Sequence, residues 1–357
     1  EIYRTIRALE SKNNTRAQSA LTELKFKRQE AEEINRKRII DIESKARERN
    51  DLKYGEFMES GEIDQNELVK EEVAKKYQEF YNPMGDYLRL VLTNRGGAQF
   101  DFGTNKQNLV KTLGKNVSFL QQEEKISAND SNSSTYVFLE TGSAPHRIEK
   151  KYRLPLVLFY NGMPPGGVLY VPFALPQLNY RDDYDGKFTL SGDKKSLPME
   201  VLTDMDSVVS AEFKAKLPGE IAKALIQTVL AVASQVAIEE ATKDQQQDNL
   251  GVFLLATVTK VAAAEAFTQA DDRSWYSLPK QILVQKVPTP KNGKLSVRAN
   301  SSSDVSFEVN PNNQTNFVYL KSIRRGNPIK VISSFGFGEG LVNSALYSNS
   351  KIFASNH

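Results

Sequence analysis

Residues 127–135, Ser-Ala-Asn-Asp-Ser-Asn-Ser-Ser-Thr, divide the chain into two parts that follow different periodicities. This stretch holds no apolar side chain larger than alanine, so it cannot contribute to a core and reads as a polar linker. Ahead of it, apolar residues recur every three or four positions. Behind it come short apolar runs broken by Pro, Asn and Gly. Such a switch predicts an α+β chain: a helical, solenoid-like region over 1–126 and a mixed domain over 136–335. The mixed domain is expected to hold two central apolar helices and antiparallel strands. A Gly- and Ser-rich tail, 336–357, reads as irregular.

In the front half, Ile2–Ser11 reads as a short helix broken at Lys12-Asn13-Asn14, with Asn14 or Thr15 capping a longer helix to about Asn50. Leu21, Leu24, Ala31, Ile34, Ile42 and Ala46 form a thin apolar stripe on this charged rod, and Glu32 is placed to pair with Arg36. So narrow a stripe must dock either on its own chain or on a neighbour. Further helical blocks are expected at Asp64–Leu92, interrupted at Asn82-Pro83, and at Asn105–Leu120. Their spacing is similar to that of tetratricopeptide-type arrays, without a repeat signature that aligns.

Beyond the linker, strands are predicted at 136–140, 151–160 and 168–174, then at 281–287, 294–298, 305–309, 316–323 and 329–333. Between the two sets lie two apolar helices, one opened by Pro218 and running through Ile238, the other spanning about 250–267. The most apolar stretch, 224–238, falls short of the ~20 residues a membrane span requires. Charged residues also bracket it, so both helices read as buried core.

A net charge of +3 with interspersed signs gives no basis for nucleic-acid binding. There is no Cys and there are only two His, His146 and His357, which leaves no basis for a metal centre of Cys or His ligands. No cofactor motif stands out either. Gly336-x-Gly338-x-Gly340 lacks dinucleotide-loop spacing. The acidic turn Arg181–Gly186 fails as a calcium loop, because Arg181 and Gly192 occupy the first and twelfth positions.

The most distinctive run is Asp271, Asp272, Arg273, Ser274 and Trp275, followed by Leu278-Pro279 and containing the one Trp of the chain. These residues could line a carbohydrate or peptide site, through directional hydrogen bonds and a flat aromatic face. The preferred reading is structural, since they are what a helix-to-strand corner needs. Asp204 and Asp206 read as helix caps rather than an acid–base pair, and His146 as a surface or turn residue without a nucleophile to serve. No catalytic residues are assigned, and the chain is read as a non-enzyme.

Five blocks carry a resemblance: Tyr81-Asn82-Pro83 with Tyr87; Glu140 to Pro145; Tyr170 to Pro176; Thr203 to Asp206 with Glu212-Phe213 and Leu217-Pro218; and Ala270 to Trp275 with Leu278-Pro279. In order and spacing, over about two-thirds of the chain, they resemble a family of predicted bacterial outer-membrane lipoproteins with a helical, repeat-like front half. Such proteins are often encoded beside a lipoprotein activator of penicillin-binding proteins. The resemblance implies a periplasmic, outer-membrane-associated protein, anchored through a lipidated Cys ahead of the residues seen here. It brings no established activity. Asp130-Ser131-Asn132-Ser133-Ser134 also fits the extended acidic sequon of bacterial periplasmic N-glycosylation, making Asn132 a candidate glycan acceptor.

The expected function is therefore a scaffold subunit of a large envelope assembly, such as an accessory disk or cage of a flagellar motor. Its partners would be proteins of that assembly, further copies of itself included. The alternative is a regulatory binding protein of peptidoglycan synthesis.

Overall fold

The computed structural model describes residues 1–95, 98–124, 132–158, 170–193, 195–242, 275–300 and 304–338. The fold is α+β. Helices α1 (Ile2–Glu10) and α2 (Asn14–Glu48) open the chain, followed by short helices α3 (Tyr54–Glu59), α4 (Gln65–Leu68) and α5 (Glu71–Ala74). Helices α6 (Pro83–Arg95), α7 (Phe102–Leu113) and α8 (Ser118–Gln121) complete the front half. The described residues show no solenoid. Instead, these helices pack on sheets built from later residues.

The strands are β1 (Ser134–Thr141), β2 (His146–Pro155), β3 (Tyr170–Asn179), β4 (Phe188–Gly192), β5 (Lys195–Pro198) and β6 (Glu200–Asp204). After helix α9 (Met205–Thr242) come β7 (Gln281–Pro288), β8 (Lys294–Ala299), β9 (Val305–Glu308), β10 (Asn313–Ser322) and β11 (Lys330–Gly338). They form a five-stranded sheet in the order β11-β10-β1-β7-β6, a four-stranded sheet β5-β4-β8-β9, and the hairpin β2-β3. The five-stranded sheet is mixed, not antiparallel throughout, because β1 and β10 run parallel. The long connection between them allows this; a tight turn would force the antiparallel arrangement.

Alternation along β1 sets the layers. Tyr136, Phe138 and Glu140 face the helices, while Val137 and Leu139 face the four-stranded sheet. On the helix side, Tyr136 and Phe138 stack on Phe317 with ring centroids 5.4 and 6.2 Å apart, and Tyr87 of α6 meets Phe138 edge-on. Leu9, Leu21, Met84 and Leu109 join the same buried cluster. On the other side, Val137, Leu139, Leu283, Val318 and Leu320 pack against Phe188, Leu190, Leu295 and Val297. A third cluster joins the hairpin (Val171, Phe173, Leu175) to α9 (Phe213, Leu217, Ile221, Leu225) and to Tyr54, Phe57 and Leu68. Each such fully buried Leu, Val or Phe contributes about 1.5–3 kcal/mol.

Several local expectations need correction. The α2 cap is Asn13, whose side chain accepts from Arg16 N at 2.9 Å, rather than Asn14 or Thr15. Glu32 pairs with Arg28 at 2.8 Å, not with Arg36. Ile34 is 57% exposed. The mid-helix contact with α9 is made instead by Asn35, which donates to Ala215 O, and by Ile39, which lies over Gly219. The rod therefore docks on its own chain along one side.

Helix α9 begins at Met205 and runs through Pro218, which does not open it. Proline removes the N–H that would serve the Lys214 carbonyl, and Asn35 supplies a donor one residue further on, at Ala215 O. The second predicted apolar helix, 250–267, lies outside the described residues. Strands β4, β5 and β6 were not expected. The region read as an irregular tail contributes β11 as far as Gly338, and 339–357 lie outside the described residues. Among the described residues no helix is long and apolar enough to cross a membrane.

Candidate functional site

Four of the five quoted blocks meet at one end of the five-stranded sheet. Backbone bonds sew the corner together: Ala144 N to Leu278 O (3.0 Å), Lys280 N to Thr141 O (2.9 Å) and Met205 N to Lys280 O (2.8 Å). The fourth block enters through Asn82, whose Oδ1 accepts from Thr203 Oγ1 at 3.1 Å. Gly142 turns the chain here at φ +68°. A Cβ at this position would lie 2.8 Å from Lys280 Cβ and 2.9 Å from Tyr184 Cβ, so both the turn and the packing require glycine.

Lys280 is the centre of the corner. Buried, it reaches Asp206 Oδ2 at 2.5 Å and Asp182 Oδ1 at 3.2 Å, with its ammonium 5.2 Å from the centre of the Tyr184 ring. Asp206 is also buried, and its Oδ1 has no hydrogen-bond partner among the described residues. Burial therefore outweighs the attraction of Lys280 and pushes the Asp206 carboxyl up to about 6. Burial works to lower the Lys280 ammonium, but its bonds to Asp206 and Asp182 overcome that and raise it.

Of the two expected caps, Asp204 directly precedes α9 and accepts from Ser207 Oγ at 3.1 Å, and it also pairs with Lys76 at 2.8 Å. Asp206 turns away to Lys280. The acidic turn acts as an anchor. Asp185 O accepts from Thr141 Oγ1 at 2.9 Å, and Asp185 Oδ2 accepts from Gly326 N at 3.1 Å.

Asp271, Asp272, Arg273 and Ser274 lie outside the described residues, so only Trp275 of that motif can be placed. Trp275 is 67% exposed and Tyr276 62% exposed. The Tyr276 ring lies 5.8 Å from His146 and 5.9 Å from the Arg181 guanidinium. His146 starts β2 rather than a turn, and burial followed by the charge of Arg181 lowers its pKa. Asn132 is exposed, while Ser133 and Ser134 behind it are already tied into the sheet: Ser133 Oγ donates to Asn313 O at 2.5 Å, and Ser134 pairs with Thr315 and Pro288.

Among the described residues, the sequence reading assigned no role to the buried carboxylates Asp86, Glu123 and Glu140. Glu140 accepts from Tyr3 OH (2.5 Å) and Tyr319 OH (2.7 Å) and pairs with Lys321 at 3.1 Å. Burial, then the Glu140 charge, pushes both phenols up, so they remain donors. Glu140 was legible in principle, since alternation places it on the same face as Tyr136 and Phe138. Glu123 is fully buried against Lys286 at 3.2 Å; burial raises its pKa against the pull of that lysine. Nothing in its local sequence marks it.

Among the described residues no group of three or more His, Cys, Asp or Glu could hold a metal ion. The corner joins a locked ionic interior to an outward aromatic pair flanked by Arg181 and His146. That combination suits binding, since exposed Trp, Tyr and Arg are the side chains that anchor protein interfaces. Comparison with protein-family models, with curated proteins and with solved structures finds no match to this chain.

Proposed function

We propose that the protein is a non-enzymatic scaffold subunit of a bacterial cell-envelope assembly, working in the periplasm in association with the outer membrane. The observation that carries the binding role is the exposed Trp275–Tyr276 pair on a corner whose charged interior is locked by Lys280. A rigid base under exposed aromatics is how a contact surface is preorganised. The placement in the envelope rests on the resemblance of the five blocks. A flagellar-motor disk or cage is the narrower form of this reading. The exposed side of α2, with Phe26, Ile34 and Ile40, offers further contact area.

A second reading, a regulatory binding protein of peptidoglycan synthesis, draws on the same aromatic pair, because a flat ring beside Arg181 also suits glycan or peptide. One experiment separates them: cross-linking capture of the native protein from detergent-solubilised envelopes, beside the double variant Trp275→Ala/Tyr276→Ala. Stoichiometric recovery of machine subunits, lost in the double variant, is the expected result. Recovery of a peptidoglycan synthase or its activator without machine subunits would replace the scaffold reading with the second. Identical partner profiles for wild type and variant would remove the corner from either role.

A further inference from the structure

Strand β11 stands at one end of the five-stranded sheet, and among the described residues no strand pairs with its outer edge. Such an edge presents a row of unpaired N–H and C=O groups, each ready to join another strand. Proteins guard edges with shortness, charge, proline or a bulge. The other edges here are guarded. Strands β5 and β9 are four residues each and carry Lys195 and Glu308. Strand β6 is five residues long, carries Glu200 and Asp204, and passes directly into α9. In the hairpin, β2 carries Lys150 and Lys151, and β3 carries Pro172 and Pro176.

Strand β11 is nine residues long, and residues 331–338 include neither a charge nor a proline. Its pairing with β10 is irregular around Ile332 and again at Gly338, but regular from Ser333 to Phe337. Val331 and Ile332 are 41% and 55% exposed, and Ser334 is exposed as well. Helix α1 covers a face of the strand, where Glu10 accepts from Ser333 and Phe335 joins the core, and not its edge.

The order of residues along β11 points to the occupant. Its bulky aliphatic residues, Val331 and Ile332, lie in the first half, and Gly336 and Gly338 lie in the second. A second copy running antiparallel, with the two-fold axis at Ser334, sets each half against the other. Ile332 then lies opposite Gly336, where a missing side chain leaves room, and Lys330 lies opposite Gly338. The two lysines, which are the charges of the paired strands, end about 26 Å apart, well beyond the ~8 Å Debye length. A parallel copy would instead set Lys330 beside Lys330 and Ile332 beside Ile332. With no charge along 331–338, the edge also offers no ion pair to select a foreign strand.

We propose that β11 pairs antiparallel with β11 of a second copy, joining two five-stranded sheets into one across a two-fold axis at Ser334. The pairing uses no residue of the corner around Trp275, so it can fail while the scaffold reading holds.

The test is sedimentation velocity on the full chain beside Ser334→Lys and Ser334→Glu. Wild type is expected to be dimeric at about 10 μM. Either variant alone sets like charges directly across the axis and should weaken dimerisation about tenfold or more. An equimolar mixture of the two should recover the dimer, because Lys then faces Glu. Ser306→Lys, exposed on the short edge strand β9, should leave dimerisation unchanged. The chain has no Cys, so Ser334→Cys adds a second readout. Opposed residues of an antiparallel pair have Cα atoms about 4.5–5.5 Å apart, within disulfide reach. Ser334→Cys should therefore oxidise to a covalent dimer, and Lys330→Cys should not. If a charge variant loses the wild-type unfolding midpoint, this cysteine pair decides alone. A wild-type monomer at about 100 μM, a dimer that survives both charges, a mixture that stays monomeric, or no disulfide at position 334 would overturn the proposal.

Discussion

At the scale of single residues, Asp206 shows how burial sets the balance of an ion pair. Its folded pKa, about 6, lies above the ordinary 3.8. The native state therefore holds this proton more tightly than the unfolded chain does. The associated stability is present at low pH and is lost as the pH rises through 6. The wild-type advantage over Asp206→Asn should accordingly shrink by about 2 kcal/mol between pH 4 and pH 7. Urea unfolding of both proteins across that range checks it, and a difference that stays flat with pH would mean the carboxyl is not shifted. Asp206 could be read from sequence only as a cap, because its partner Lys280, just ahead of β7, is 74 residues away and no local pattern announces the pairing. Asp204 does directly precede α9, but its carboxylate takes the Ser207 hydroxyl and Lys76.

Among the elements, boundaries follow local chemistry and docking follows distant chemistry. The break between α1 and α2 is visible in Lys12-Asn13-Asn14, although which asparagine caps α2 depends on backbone geometry. What holds α1 down is not visible in its own sequence. Tyr3 crosses to Glu140 of β1, and Glu10 accepts from Ser333 of β11 at 2.9 Å. Tyr3→Phe should lower stability by about 1 kcal/mol and speed hydrogen exchange within α1. Tyr319→Phe, which removes a different donor from the same carboxylate, should cost a comparable amount without singling out α1. Equal exchange in α1 for both variants would show that Tyr3 does not fasten it. Strands β4, β5 and β6, of four or five residues each, were missed, although the equally short β9 was found. The start of α9 was misplaced because Pro218 reads locally as a beginning, whereas tertiary packing carries the helix through it.

Over the whole molecule, the front-half helices and the sheets share their cores. Leu9, Leu21, Tyr87 and Leu109 bury the same surface as Tyr136, Phe138 and Phe317. The hairpin likewise buries Tyr54 and Phe57 together with α9. Neither half can complete a core alone, so denaturant unfolding should give one transition with coincident midpoints by far-ultraviolet circular dichroism and tyrosine fluorescence. Two separated transitions would instead mark 1–126 and 136–335 as independent units.

The α+β class and most strand positions were determined by the sequence itself, whereas the end of the predicted polar linker, Ser134 and Thr135, lies buried in β1. Class and strand positions are a matter of nearest neighbours: hydrophobic period, turn residues and proline geometry act over a few positions. The mixed direction of the central sheet was decided only by the tertiary structure. So were the docking of α2 on α9 and the Lys280–Asp206 pair. Each depends on which distant surfaces meet, and burial then sets the strength of the charges that meet there.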